Sequence, residues 1–447
     1  MDHPFRPGFL TVQNAPWATM IERIGAGLAA EQTAALGRPS TTGRANLGHM
    51  GGGMLRTDAL LASARVLGPT VVADRRAIHQ HPELAFQEYQ TAVLVATRLR
   101  ELGLDVREGV GGTGVIGLLR GAKPGRTVLL RADMDALPIQ EETGHPYASQ
   151  VPNVMHACGH DAHTAILLGA ARLLAEHREQ IAGTAKFMFQ PAEEIGGGAL
   201  RMLDEGLLDD PRVDAAFALH TYPFPVGQVD VSPGVVTAAT NGFAITVHGK
   251  GAGAGHPHNG VDPILVSAHI LTALQTLVSR EVSPAESAVV HVGSLTAGTV
   301  RNVMPETATM LGTIRSQRPE LQEQLRARVS ALAKGIATAM RATADVEIRP
   351  GGECNINDPA MTSLVGDVVR DVLGPQAAVE VPPGTNGDDF AHVLKRVPGA
   401  WIRVGIVNPG WEEPRPHHSP RFDLDEEMLP VGVAVLTGVA LRFLAEA

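Results

Sequence analysis

Short apolar runs alternate with amphipathic stretches along the chain from Leu60 onward. A helix-like pattern ends near His79 and another runs from about Glu88 to Leu102. Val115 to Leu119 and Thr127 to Ala132 are short apolar runs, as buried strands require. A helix is expected from about Asp161 to Glu176, then strands at Thr184 to Phe189 and Val213 to Leu219. Strand–helix alternation of this kind predicts an α/β fold around a mostly parallel sheet.

The texture changes between about Thr237 and Gly352. Phe243 to His248 alternates like a half-exposed strand, Pro263 to Val278 reads as a helix, and Ala288 to Leu295 and Thr307 to Arg315 read as strands. Glu320 to Arg341 is a long amphipathic helix, with a strand after it at Asp345 to Ile348. Strand, helix, two strands, helix, strand describes a split βαβ layer. After Asp358 the α/β rhythm resumes, up to a last helix from about Glu426 to Ala445. The pattern therefore predicts a larger discontinuous domain (61–236 and 353–447) carrying a smaller inserted α+β domain (237–352). Residues 1–60 form an N-terminal extension, in which GRPSTTGRANLGHMGGG reads as a flexible linker.

Composition narrows the function more than the fold. A length of 447 residues exceeds one ordinary core. A net charge of −10 lacks the basic excess of a nucleic-acid binder. No run of roughly 18 to 20 apolar residues is evident, so no membrane association is expected. Only Cys158 and Cys354 occur and no signal peptide is visible, which points to a reducing cytoplasm rather than a disulfide framework.

The chemistry gathers where apolar runs end. TVLLRADMD closes on Asp133 and Asp135, TAKFMFQPAEE on Glu193 and Glu194, and VDAAFALHT on His220. MHACGHDAHT packs His156, Cys158, His160, Asp161 and His163 at a helix start, and HHSPRFD adds His417 and His418. In parallel α/β sheets, ligands gather at the carboxyl ends of strands, so these groups share one rim. Each has a plainer reading: a hydrogen-bonded structural His, an inert buried thiol, a helix-capping Asp. Adjacent carboxylates at a strand end, however, repel each other unless cations compensate. Thiolate, imidazole and carboxylate together suit zinc, and manganese less well because of the sulfur. About five ligands exceed what one hydrolytic zinc needs, whereas two divalent ions would use them. In an extended QPAEE, neighbouring side chains diverge, so one Glu is free to bind metal while the other serves as general base.

HACGHDAHT, QPAEE, ALH and HHSPRFDLDEEMLPVG resemble the co-catalytic metal amidohydrolases related to aminoacylase and carboxypeptidase G, above all the hippurate and auxin-conjugate hydrolase branch. The likeness runs from about residue 70 to the C-terminus and includes DRRAIHQHPELAFQE, RADMDALPIQEETG, RNVMPETATMLGTIRS, NINDP and DDFA. The resemblance implies metal ligands Cys158, His160, Glu194, His220 and His418, with zinc or manganese as the two ions. It implies Glu193 as general base, Asp135 as a residue orienting a ligand, and His156, Asp161 and His163 as supporting residues. It implies that the larger domain is the catalytic one and the inserted domain a lid and dimerisation domain, with substrate contacts from Asn302, Arg315, His258 and the position of Gly253; for Arg315 a surface salt bridge is the plain alternative. The expected substrate is a small N-acyl amino acid, and the expected assembly a homo-oligomer, dimer or tetramer, through the lid.

One departure stands out. The family pattern has a His where GKGAGAGHPHNGVDP has Gly253, and that His stabilises the oxyanion of the tetrahedral intermediate. Losing one oxyanion donor costs on the order of 10²–10³ in turnover. Either His256 substitutes, or turnover is weak, or the chain is a metal-holding binding protein. A dipeptidase or carboxypeptidase of the same family is the remaining enzymatic alternative.

Overall fold

The run Thr127 to Asp133 is buried at every position, as an unbroken apolar strand covered on both faces must be. In the computed structural model, which describes residues 57–349, 351–413 and 415–446, it forms the inner half of strand β3. The helices α1 (Thr57–Gln80) and α2 (Tyr89–Glu101) come first, then β1 (Asp105–Val110), β2 (Gly114–Arg120) and β3 (Lys123–Asp133). Next are α3 (His160–Glu176), β4 (Ala182–Gln190), the short α4 (Gly198–Asp204), β5 (Ala215–Pro225) and β6 (Val229–Asp230). An excursion follows: β7 (Ala239–His248), α5 (Pro263–Thr276), β8 (Ala288–Ala297), β9 (Thr307–Ser316), α6 (Pro319–Ala339) and β10 (Thr343–Arg349). The chain then adds α7 (Pro359–Leu373), β11 (Ala378–Val379), β12 (Gly399–Val407) and α8 (Met428–Ala445). The linker expected at 37–53 lies outside the described residues, and the chain is already helical at Thr57, before the expected boundary at 60.

The main sheet has eight strands in the order β1-β2-β4-β3-β5-β12-β6-β11. Its centre, β4-β3-β5-β12, is parallel, while β1 and β2 join antiparallel at one edge. Alternation along β3 divides two cores. Val128 and Leu130 face the one shared with α1, α2, α3, α7 and α8. Leu129 faces the other, with Met188, Met202, Phe390 and Trp401. The C-terminal helix corrects one expectation. Its 18 residues are long and apolar enough to cross a membrane by composition, with mean hydropathy 1.9. They are instead the hub of the helical core, packed on α1, α3 and α7 and 83% buried.

The second sheet is antiparallel, ordered β8-β9-β7-β10, with α5 and α6 contributing to its core. Along β7 burial alternates strictly, and Phe243, Ile245 and Val247 point inward. Both α5 and α7 begin with Asp-Pro: the side chains of Asp262 and Asp358 accept the first free amides, and the proline occupies a position that needs no N–H.

Candidate metal centre

Residues 155–159 reach α3 through a sharp bend at Gly159, whose φ of +86° suits glycine. A side chain there would also strike Thr221, since an added Cβ would stand 2.8 Å from its hydroxyl. His160 is the first residue of α3 and Cys158 lies just before it. β5 extends to Pro225, past the expected end at His220. It outruns β3, whose last partner on it is Ala218, while β12 pairs with it to the end. His220 therefore projects beyond the neighbouring strand, at the level of Cys158.

The imidazoles are preset. His160 Nδ1 donates to the Asp135 carbonyl at 2.8 Å, and His220 Nδ1 donates to the Thr221 carbonyl at 2.7 Å. Each ring thus turns its Nε2 lone pair toward the cluster. His220 Nε2 lies 3.6 Å from Cys158 Sγ, and Glu194 Oε1 lies 3.4 Å from His418 Nε2 and 3.9 Å from His160 Nε2. Two donors on one tetrahedral ion, each roughly 2.0–2.3 Å from it, stand about 3.3–3.7 Å apart. The first two separations fall in that range and the third is slightly longer. Among the described residues, His160 Nε2 and Glu194 Oε1 are buried without a hydrogen-bond partner, as metal-directed atoms would be. The donor set fits divalent ions.

The QPAEE segment is turned, not extended as its sequence suggested. β4 ends at Gln190, and Ala192 adopts a left-handed φ of +53°. Asp135, nearly inaccessible, accepts the Glu193 amide on Oδ1 and the Glu194 amide on Oδ2, each at 3.0 Å. One carboxylate therefore clasps the backbone of both glutamates while its own carbonyl orients His160. Burial, then Asp388, Glu194 and Asp389, push the Glu193 carboxyl well above its usual range. A carboxyl so placed keeps its proton to higher pH than an exposed glutamate does.

The surrounding shell is charged and buried. His163 donates from Nδ1 to Asp133 at 2.6 Å and accepts the Thr221 amide on Nε2, so neither ring nitrogen is free. Asp161 receives Arg75 and His79, each at 2.8 Å. His156 has no hydrogen-bond partner on either nitrogen among the described residues, and burial pushes it down to about 3. The Arg131 guanidinium pairs with Asp133 at 2.7 Å and Asp388 at 3.1 Å, and Trp401 Nε1 donates to Asp388 at 2.6 Å. Asp388 and Asp389, with oxygens within 4.8 Å of a Glu193 oxygen, were missed as site residues. DDFA was visible in the chain, but nothing local ties it to QPAEE, nearly two hundred residues earlier.

Cys158, Glu193, Glu194, His220, His418, Asp388 and Asp389 line a cleft of about 470 Å³, joined by Tyr222 and His417 and, from the second sheet, by Thr240 and Arg315. Arg315 Nη1 donates to the Thr385 carbonyl at 2.8 Å, so the surface salt bridge considered for it is not formed among the described residues. Gly253, His258 and Asn302 do not line this cleft. Gly253 pairs with Val303, and the Ala254 amide donates to the Asn302 carbonyl, which places these lid residues beside one another but outside the cleft of their own chain. His258 follows on the same loop, its ring 6.1 Å from that of His256.

Clustered imidazole, thiol and carboxylate donors beside a separate proton-holding carboxylate, at the end of a parallel sheet, define a hydrolytic metal-enzyme centre. The sequence pattern of Peptidase family M20/M25/M40 matches residues 129–442. An N-acetyl-L-cysteine deacetylase of Bacillus subtilis is 38% identical, over 83% of this chain and 88% of its own length. The IAA-amino acid hydrolase ILR1-like 5 of Arabidopsis thaliana is 38% identical, over 84% and 87%. The crystal structure of Bacillus subtilis YXEP, described as a dinuclear metal binding peptidase of the M20 family, superposes with a TM-score of 0.74 at 34% identity, covering 86% of this chain and 99% of that one. The chain belongs to Peptidase family M20/M25/M40 and is an amidohydrolase of that family.

Proposed function

We propose that the chain hydrolyses the amide bond of N-acyl amino acids, yielding a carboxylic acid and a free amino acid. The observation that carries this is the pairing of a five-donor cluster (Cys158, His160, Glu194, His220, His418) with Glu193, a carboxyl in the same cleft that lies against Asp388 and Asp389 and outside those donors' closest contacts. The deacetylase and the IAA-amino acid hydrolase among the relatives support the substrate class. Two divalent ions, zinc or manganese, held by those five residues would polarise the scissile carbonyl and acidify the attacking water. Glu193 takes the proton of that water as it adds to the carbonyl carbon. It returns the proton to the amide nitrogen as the C–N bond breaks, so the amine leaves neutral. Asp135 keeps Glu193 and Glu194 on their separate tasks by holding both amides. Arg315, the lid cation in the cleft, receives the carboxylate of the amino-acid half.

Residues 237–352 act as the lid in this reading. We assign Gly253, His258 and Asn302 to the cleft of a second copy, within a homo-oligomer formed through that lid. Gly253 favours a second reading, a chain that binds metal and substrate but turns over slowly. A Cβ built at Gly253 meets nothing within 4 Å, so no neighbour blocks the root of a side chain there. The test is amino-acid release from acetyl, benzoyl and indoleacetyl amino acids, with Zn²⁺ or Mn²⁺, by the chain and by Gly253→His. Turnover by the unaltered chain supports the hydrolase directly. A gain of about 10²-fold in Gly253→His marks the missing oxyanion donor as the limiting feature. Release of two amino acids from dipeptides, with none from the acyl panel, replaces the proposal with a dipeptidase. Silence from both proteins refutes it.

A further inference from the structure

The stretch DRRAIHQHPELAFQE contributes nothing to the lining of the cleft, yet its last residue sits at the root of the QPAEE turn. Glu88 is 0% exposed. Its Oε1 accepts the Phe86 amide at 3.0 Å and the Ala192 amide at 2.9 Å, and its Oε2 accepts the Thr113 hydroxyl. Three consecutive amides, of Ala192, Glu193 and Glu194, are therefore held by two buried carboxylates, the first by Glu88 and the other two by Asp135.

The anchored residue is the strained one. Ala192 has a φ of +53°, a left-handed conformation that a residue with a Cβ adopts only when its surroundings impose it. Packing closes the other side of the turn: a Cβ added to Gly198 would stand 1.7 Å from the Pro191 carbonyl oxygen, so the two backbones are in direct contact. Without its partner, the buried Ala192 amide would be left unpaired. Relaxation of Ala192 toward ordinary backbone angles would then swing both following glutamates.

We propose that Glu88 is a positioning residue for the hydrolytic centre, holding Ala192 left-handed so that Glu193 and Glu194 point in their separate directions. This rests on the roles given above to those two glutamates. The role calls for hydrogen-bond acceptors, not for charge. A glutamine at position 88 offers one oxygen to both amides and a nitrogen that donates to the Thr113 hydroxyl.

The test compares the full-length chain with Glu88→Ala, Glu88→Gln and the double variant Glu88→Ala/Ala192→Gly, each loaded with Co²⁺. The readouts are the visible absorption of bound Co²⁺, the Co²⁺ dissociation constants, kcat and KM on an N-acetyl amino acid, and the thermal midpoint. Glu88→Ala is expected to change the Co²⁺ spectrum through Glu194 and to lower kcat about 10²-fold, with KM moved less than about threefold, because a misaligned reacting group costs on that order. Glu88→Gln keeps the wild-type spectrum and kcat. Ala192→Gly recovers part of the loss in the Ala background, at least about threefold, because glycine takes the left-handed conformation unaided. Where turnover is too slow to measure, the spectrum and the dissociation constants decide. A Glu88→Ala protein with wild-type spectrum and kcat overturns the proposal. So does a loss that Glu88→Gln shares, or one that Ala192→Gly leaves untouched. A wild-type chain that binds no Co²⁺ overturns the underlying reading, and is recognised before any variant is compared.

Discussion

Replacing Asp135 by asparagine separates the two tasks of that residue. Its carbonyl, which orients His160, belongs to the main chain and survives the substitution. Its carboxylate does not: Oδ1 and Oδ2 each accept one amide at 3.0 Å, from Glu193 and Glu194, and asparagine offers one acceptor and one donor in their place. One of the two amides then faces an N–H group. A hydrogen bond to a charged acceptor is worth about 1.5–3 kcal/mol, and the orphaned buried amide adds a cost of similar size that partly counts the same loss. A net penalty of about 3 kcal/mol on the aligned turn corresponds to about 10² in kcat, at 1.36 kcal/mol per tenfold. The Glu194 side of the cluster should weaken while Cys158, His160 and His220 keep their positions. Two measurements check this, in the wild-type or Gly253→His background, whichever turns over: kcat on an N-acetyl amino acid, and metal stoichiometry at limiting Zn²⁺. The expected result is a loss of about 10² in kcat and one ion held more weakly than the other. An asparagine variant that binds both ions at wild-type affinity, with kcat within about threefold, would refute the clasp.

Glu193→Gln should cut kcat by about 10²–10⁴ while metal content stays unchanged, since Glu193 is outside the donor set; loss of metal in that variant would assign it a different role. Arg315→Ala should raise KM for N-acyl amino acids about tenfold or more with kcat little changed, and substrates amidated at the carboxyl should not sense the substitution. His79 gives a pH dependence of stability. Burial opposes its charge, but Asp161 and Glu141 outweigh burial and lift it from 6.5 to about 9. A folded pKa above the unfolded one means that the stabilisation is complete below pH 6.5 and lost as pH rises through about 9. The rise amounts to about 3 kcal/mol. Urea unfolding of wild type against His79→Gln should show a gap that closes by about that amount between pH 6.5 and 9.5, and a constant gap would contradict it.

Much of the fold could be read from periodicity, and its misses have physical causes. β7 announced itself by strict alternation and β3 by an unbroken apolar run, because one is half-exposed and the other covered on both faces. β1, in which Val110 alone is buried and Val106 half-buried, carries too few inward residues to register as a strand and is held as an edge by pairing with β2. The end of β5 was misplaced because a polar residue, His220, looked like a terminus. The strand continues because β12 pairs with it through Pro225, a long-range fact invisible locally. One apolar run went unnoticed for the opposite reason: α8 has the composition of a span, and its neighbours in the fold show that it is a core helix.

The site divides along the same line. Cys158, His160, Glu193 and Glu194 were visible because each sits in a dense local motif, and the fold brings His220 and His418 to them. The groups that hold these residues in place were harder to see, since their partners are remote in sequence. Arg131 reaches Asp388, and Glu88 reaches Ala192, across hundreds and about a hundred residues respectively. A lone buried Glu or Arg reads as surface charge until its partner is known, because burial of an ionised group is tolerated only through such a pair. The lid residues mark the limit of a single chain. Gly253, His258 and Asn302 lie together around one short β pairing, and no rearrangement of side chains alone would bring a backbone-fixed Gly253 into the cleft. In the reading proposed above a second copy supplies that edge; its rival is a lid that swings as a unit. Gly253→His discriminates between the two: if a second copy supplies the edge, its gain in turnover should depend on protein concentration through the assembly equilibrium, and if the lid swings, it should not.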